Sequence, residues 1–135
     1  MKINTERVET YFRDIASIAT PSWKEEPVIR YIESFAKKRR LRTRRFACGT
    51  SWNLLLSMDA VGGSGAEPLL FAAHTDTVVP CEGIKVLEDD KRFYTDGSTI
   101  LGGDDKAAVA SFLEAIDVIL EHRLPHGPLE FLFTC

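Results

Sequence analysis

The chain has 135 residues, about one small domain, and 44% of them are hydrophobic, which is enough for a packed core. Its formal net charge is −3, and it contains no apolar stretch of the length that a membrane-spanning helix needs. The N-terminal residues lack the apolar centre of a signal peptide, so we expect a cytoplasmic protein. Cys48, Cys81 and Cys135 show no CxxC spacing, and we expect reduced thiols.

The N-terminal third of the chain predicts two helices. Apolar residues recur at helical spacing over residues 5–19, and Pro21 ends that pattern. A second amphipathic pattern begins near Glu26. Ser22 and Glu25 have the spacing of a capping box, in which the two side chains satisfy free backbone N–H groups at a helix start.

The segment Lys37–Arg45 holds seven basic residues in nine. Its first half falls at the end of the second helix, where cations suit the helix dipole. Its second half fits a solvated edge strand, where arginines oppose edge-to-edge aggregation. A nucleic-acid-binding patch is the alternative. We favour the structural interpretation and expect neither a nucleic acid nor a membrane as a partner.

The middle of the chain predicts strands over residues 41–47 and 53–58. The apolar run at residues 69–73 predicts a buried strand, and a hairpin is expected within residues 84–95. A third helix is predicted over residues 104–121.

The third helix carries an apolar face for the core and an opposite polar face that includes Glu114 and Asp117. The final segment, LEFLFTC, predicts another buried strand. Strands mixed with helices indicate a layered α/β domain. Ligands of such folds bind beyond the carboxyl ends of the strands.

His74 and Asp76 stand at such a strand end. In an extended chain, residues i and i+2 point to the same side, so the two side chains project together. An imidazole that binds a metal through one nitrogen commonly donates its other N–H to a carboxylate. A structural histidine with no ligand is the alternative that this pair alone leaves open.

The motif LGGDDK places two aspartates after two glycines at the start of the third helix. Carboxylates cap free N–H groups at a helix start, which accounts well for one aspartate. A carboxylate held rigidly there is also suited to bridging two divalent ions. Oxygen and imidazole ligands together suit zinc, manganese or cobalt.

The segments HTDTV (residues 74–78) and TDGSTILGGDDKAAVA (residues 95–110) resemble the M20 family of dizinc metallopeptidases, and most closely its peptidase T-like, tripeptide aminopeptidase branch. Matches to the opening, asparagine-led and final strand motifs extend the resemblance over the whole chain. Ala107 and Ala108 replace glycines that are usual in related branches. The resemblance implies a three-layer α/β/α fold with a mixed sheet, the zinc exopeptidase-like catalytic domain, present here only in part.

Carried over residue by residue, the resemblance implies two divalent metal ions, zinc by preference. His74 would be a ligand of one ion, and Asp104 would be the carboxylate that bridges both. Asp76 would be the catalytic carboxylate that supports His74. His122 and His126 lie outside these motifs and fit a structural role.

The family places an adjacent glutamate pair after its last matching strand. We therefore expect residues 1–135 to be the N-terminal part of the catalytic domain, without the lid or dimerisation domain and the C-terminal part. The implied function is removal of the N-terminal residue from short peptides by metal-activated water, and we expect the 135 residues alone to be inactive.

Alternatives within the family are a dipeptidase, a carboxypeptidase or an N-acyl-amino-acid deacylase. Outside it, the alternatives are a non-catalytic module that self-associates through an exposed sheet edge, and a basic-patch nucleic-acid binder.

Overall fold

The computed structural model describes residues 3–62 and 65–135. In chain order, the elements are α1 (Thr5–Ala16), α2 (Glu26–Lys38), β1 (Arg42–Cys48), β2 (Ser51–Met58), β3 (Leu69–His74), β4 (Leu87–Glu88), β5 (Phe93–Tyr94), α3 (Gly103–His122) and β6 (Leu129–Thr134). The predicted order of helices and strands is confirmed, although α1 ends three residues earlier than predicted. In these two ranges, no helix has the length and apolarity needed to cross a membrane.

The main sheet has four strands in the order β1-β2-β6-β3. The β1–β2 and β2–β6 pairs are antiparallel, while β3 and β6 are parallel, so the sheet is mixed as expected. A parallel pair needs a long crossover, and α3 lies in the connection between β3 and β6. The predicted hairpin is confirmed as a short pair, β4 with β5.

One face of this sheet forms the core with all three helices. Leu54, Leu56, Phe131 and Phe133 alternate along β2 and β6 and are almost fully buried in one cluster with residues of α1, α2 and α3. The residues between them point to the opposite face and are only partly buried. Within the described residues, the three helices therefore lie on one face of the sheet. The helices and the sheet together make two of the three expected layers.

β3 is the outer strand of the sheet, and its predicted burial is wrong for its first four residues, 69–72. Leu69, Leu70 and Phe71 remain 60%, 55% and 40% exposed. The physical reason is position, because β6 alone pairs with β3 and only one face of the sheet is covered. Ala73, nearer the end of the strand, is buried as predicted.

The polar face of α3 is only partly exposed to solvent. Glu114 and Asp117 are almost completely buried, because α1 packs against this side of the helix. Arg7 forms an ion pair with Glu114, and Arg39 forms one with Asp117. The hydroxyl of Tyr11 also donates a hydrogen bond to Asp117. The buried carboxylates are thus paired, as burial of charge requires.

The basic segment runs from the end of α2 into the edge strand β1, as predicted. Several of its arginines face acidic side chains. Arg45 bonds to Glu26 and Glu33 at 2.8 and 2.6 Å, and Arg42 bonds to Asp59 at 2.5 Å. Part of the positive charge is therefore neutralised within the chain.

The expectation of three reduced thiols is wrong for two of them. Cys48 and Cys135 form a disulfide across 87 residues of sequence. Cys48 ends β1 at the hairpin turn, and Cys135 follows β6, so the sheet brings both to one end. Cys81 remains a buried free thiol.

Candidate metal centre

The carboxyl end of β3 presents His74. The parallel neighbour β6 ends beside it, with His74 opposite Thr134 and the Thr75 N–H donating to the Thr134 carbonyl at 2.8 Å. The His74 side chain is 40% exposed. A rigid strand end thus holds an imidazole that solvent can reach.

Asp76 occupies one side of that imidazole. The Nδ1 atom of His74 lies 3.0 Å from Asp76 Oδ1 and 3.2 Å from the Asp76 carbonyl oxygen. The two side chains that i,i+2 spacing predicts to project together are therefore in contact. A proton on Nδ1 donates to Asp76, and Nε2 then carries the lone pair of the neutral imidazole.

Asp104 occupies the other side of the imidazole. Its Oδ1 lies 3.2 Å from His74 Nε2, although its side chain is otherwise 96% exposed. Asp104 and Asp105 are joined by a cis peptide bond and have non-helical dihedral angles, and the regular helix follows them. The structure therefore brings Asp76 and Asp104 into contact with opposite sides of the His74 imidazole.

Lys106 links the start of α3 to the segment that follows α1. Its side chain is fully buried, and its ammonium donates a hydrogen bond to the carbonyl of Ile18 at 2.6 Å. Burial disfavours the charged form and lowers the pKa of Lys106 to about 8. The sequence motif contains this lysine, but its contact with the segment after α1 depends on the tertiary structure.

The electrostatics of His74 combine two opposing effects. Burial lowers the pKa of the imidazole, whereas the hydrogen bonds to Asp104 and Asp76 raise it. The two carboxylates prevail, and the pKa of His74 stands above its ordinary value. The two carboxylates therefore favour the protonated, positively charged imidazole.

The donors fit part of a divalent metal site. His74 offers an imidazole nitrogen and Asp104 a carboxylate oxygen, the ligand types that suit zinc and similar ions. Within residues 3–62 and 65–135, no group of three or more histidine, cysteine or acidic side chains is arranged to hold a metal ion. A complete coordination shell therefore needs further ligands.

The other histidines do not supply them. His122 ends α3, and His126 precedes β6 at the end of the sheet opposite Thr134. His126 Nδ1 lies 2.6 Å from the Gly127 carbonyl oxygen, and its backbone pairs with Val61. These contacts agree with the structural role expected for His126.

Sequence reasoning missed Ser22. Its hydroxyl donates a hydrogen bond to Asp76 Oδ2 at 2.5 Å. The two residues are 54 positions apart, and no periodicity or spacing links them. Two sequence signals included Ser22: its segment matches the opening motif of the resemblance, and its spacing from Glu25 was interpreted as a helix cap.

No protein-family model matches the chain. The cytosol non-specific dipeptidase of Escherichia coli is 32% identical over 91% of this chain and 26% of that protein. Peptidase T of an Exiguobacterium species is 51% identical over 41 residues, which are 30% of this chain and 10% of that protein. The chain thus spans only about a quarter or less of these curated relatives.

Solved structures resemble the chain over nearly its whole length. The aminopeptidase PepT from Bacillus cereus superimposes with a TM-score of 0.91 and 32% identity, over 97% of this chain and 36% of that one. An M20 family metallo-carboxypeptidase from Sulfolobus solfataricus gives a TM-score of 0.70 at 16% identity, over 97% of this chain and 31% of that one. The second likeness concerns the fold alone. Together they confirm the expected α/β fold.

Proposed function

Because this chain is a partial, peptidase T-like chain of the M20 peptidases, we propose that residues 1–135 form the N-terminal part of the catalytic domain of a zinc-dependent aminopeptidase. That enzyme hydrolyses the N-terminal peptide bond of short peptides, tripeptides above all. The lid or dimerisation domain and the C-terminal part of the catalytic domain belong to other residues of the parent enzyme. The likeness to PepT over 97% of this chain and 36% of that one supports this assignment.

The observation that carries the proposal is the contact of His74 with Asp76 on one nitrogen and Asp104 on the other. In the proposed centre, His74 and Asp104 are ligands in a site for two divalent ions. Asp76 acts through His74 by keeping the proton on Nδ1. When bound, such an ion acts as a Lewis acid that polarises the peptide carbonyl and makes water a better nucleophile.

We expect the 135 residues alone to be inactive. A catalytic zinc site takes about three protein ligands for one ion, and hydrolysis also needs a general base. The described residues place one imidazole nitrogen and one carboxylate oxygen at this centre. The remaining ligands and the base must come from the rest of the parent enzyme.

The test is hydrolysis of a tripeptide by the zinc-loaded product of the complete reading frame that contains these residues. We expect release of the N-terminal residue, and loss of that activity in His74→Ala and Asp104→Ala. His126→Ala, which changes a histidine at the opposite end of the sheet, is the matched control and should retain activity. Full activity in either site variant contradicts the proposal.

The second candidate is another M20 hydrolase, and the similarity to the non-specific dipeptidase over 91% of this chain favours a dipeptidase among them. Substrate choice separates the possibilities. A tripeptide aminopeptidase cleaves a tripeptide with a free amino terminus and spares the dipeptide and the N-acylated amino acid. Preference for the dipeptide, for the C-terminal bond or for the acylated amino acid assigns the enzyme to the corresponding branch.

We also propose a cytoplasmic location, which the similarity to a cytosolic dipeptidase of Escherichia coli supports. The Cys48–Cys135 disulfide opposes it, because thiols of cytosolic proteins are kept reduced. Alkylation of free thiols inside intact cells shows whether Cys48 and Cys135 are reduced or joined in the disulfide. Modification of both cysteines supports the cytoplasm, and a protected pair contradicts it.

A further inference from the structure

The segment between α1 and α2, residues 17–25, crosses the end of β3. The N–H of Thr77 donates to the Thr20 carbonyl at 2.8 Å, and the Thr20 hydroxyl donates to the Thr75 carbonyl at 2.8 Å. All three threonines are buried. These bonds hold the segment against the two residues that flank Asp76.

Ser22 adds a direct bond from this segment to the site. Its hydroxyl donates to Asp76 Oδ2 at 2.5 Å, while Asp76 Oδ1 lies 3.0 Å from His74 Nδ1. Each carboxylate oxygen of Asp76 therefore has its own partner. Two bonds in different directions fix the plane of the carboxylate, whereas one bond leaves it free to turn.

The position of Ser22 shows that its hydroxyl does not cap a helix, which corrects the predicted capping box. Helix α2 begins at Glu26, and Glu25 is its N-cap residue without a capping side-chain bond. The Glu25 carboxylate instead accepts the N–H of Trp23 at 2.7 Å. The side-chain partner of Ser22 is Asp76.

We propose that Ser22 is a positioning residue of the candidate metal centre: its hydroxyl holds Asp76 in the orientation that keeps the His74 proton on Nδ1 and leaves Nε2 free for a ligand. A neutral imidazole has one proton, and a proton on Nε2 occupies the place of a metal ion. The role in metal binding rests on the proposed function. The role in selecting the His74 tautomer is a property of the chain without metal.

The experiment measures the tautomer of His74 by ¹⁵N NMR of the imidazole in the 135-residue chain, without metal and at a pH where His74 is neutral. Asp76 accepts from Nδ1 and Asp104 Oδ1 lies 3.2 Å from Nε2, so the two carboxylates compete for the single proton. We expect the Nδ1–H form to predominate in the natural chain and its fraction to fall in Ser22→Ala. Ser22→Thr keeps a hydroxyl and should restore the Nδ1–H form. Ser17→Ala is the control, because Ser17 bonds to the carbonyl of Arg13 within α1.

The signals of His122 and His126 report folding in the same spectra. If Ser22→Ala perturbs them, Ser22→Cys is the second variant, since a thiol fills the place of the hydroxyl, although it is somewhat larger, and is a weaker donor. If the Nδ1–H fraction of His74 in a folded Ser22 variant without a hydroxyl is as large as in the natural chain, the proposal is overturned.

Zinc affinity of the product of the complete reading frame, which supplies the remaining ligands, gives the second readout; it is measured with Zn²⁺ alone against a chromophoric chelator. We expect binding about 10- to 100-fold weaker in Ser22→Ala, as for other groups that orient a metal-binding histidine. Unchanged affinity despite a changed tautomer overturns the role in the metal centre. If no variant binds zinc but the tautomer still depends on Ser22, the positioning role is supported and the metal assignment of these residues fails.

Discussion

Gly102 and Thr77 approach each other so closely that a side chain at position 102 would force one of the two segments to shift. A Cβ atom on Gly102 would lie 2.7 Å from Thr77 Cγ2, and the φ angle of Gly102 is +72°. This contact joins the loop before α3 to the segment after β3. Asp104 and His74 meet because these two segments touch.

We predict that Gly102→Ala destabilises the fold more than Gly97→Ala. Both glycines have positive φ, which costs a residue with a Cβ about 1–2 kcal/mol, but Gly97 has no atom within 4 Å of its added Cβ. The clash at position 102 adds about 1–3 kcal/mol of overpacking. Urea unfolding of both variants isolates this difference, and equal losses of stability would contradict it.

The burial of Lys106 predicts a specific dependence of stability on pH. The pKa of Lys106 is about 8 in the folded chain and 10.5 as its ordinary value. Between these values the unfolded chain binds more protons, so the free energy of unfolding rises with pH from about 8 to 10.5. Lys106→Met lacks this group, and the difference between the two proteins should change over that range. Urea unfolding at several pH values measures it, and a constant difference contradicts the prediction.

Asp117 should matter more for stability than Glu121, although both are acidic residues of α3. Asp117 is buried and bonds to Arg39 and Tyr11, so Asp117→Ala leaves a charge unpaired and should cost about 3–5 kcal/mol. The Glu121 side chain is 52% exposed, and its pair with Arg7 is screened by water. Glu121→Ala should change the unfolding midpoint little. Similar effects of both variants would show that burial does not set the cost.

The outer edge of β3 predicts self-association of the 135-residue chain. The strand has no charged residue before His74 and exposes Leu69, Leu70 and Phe71, whereas the opposite edge strand β1 carries arginines. Unprotected strand edges pair with other strands. Leu70→Lys should reduce the mass measured by light scattering at high concentration, and Val78→Lys, on an exposed residue outside the strand, should not. A natural chain that stays monomeric at high concentration contradicts the prediction.

Local patterns predicted the order of the elements and the contact between His74 and Asp76. The spacing of apolar residues gave α2 and β2 to within about two residues, because side-chain periodicity directly reflects the geometry of a helix or strand. His74 and Asp76 are two residues apart on an extended chain, so their contact also follows from local geometry.

Predictions of burial and pairing failed where distant segments decide the outcome. Leu69 has an apolar neighbourhood in sequence but lies at a sheet edge, and Glu114 has the pattern of a surface residue but lies under α1. The same limit applies to the bond between Ser22 and Asp76 and to the disulfide of Cys48 with Cys135.

The sequence by itself determined which segments form helices and strands and which side chains stand at the end of β3 and the start of α3. Only the tertiary structure decided that Asp104 meets His74, that Ser22 holds Asp76 and that one face of the sheet is covered. The physical reason is range. Dihedral preferences and periodicity act over a few residues, whereas contacts across 30 or 54 residues depend on how the elements pack.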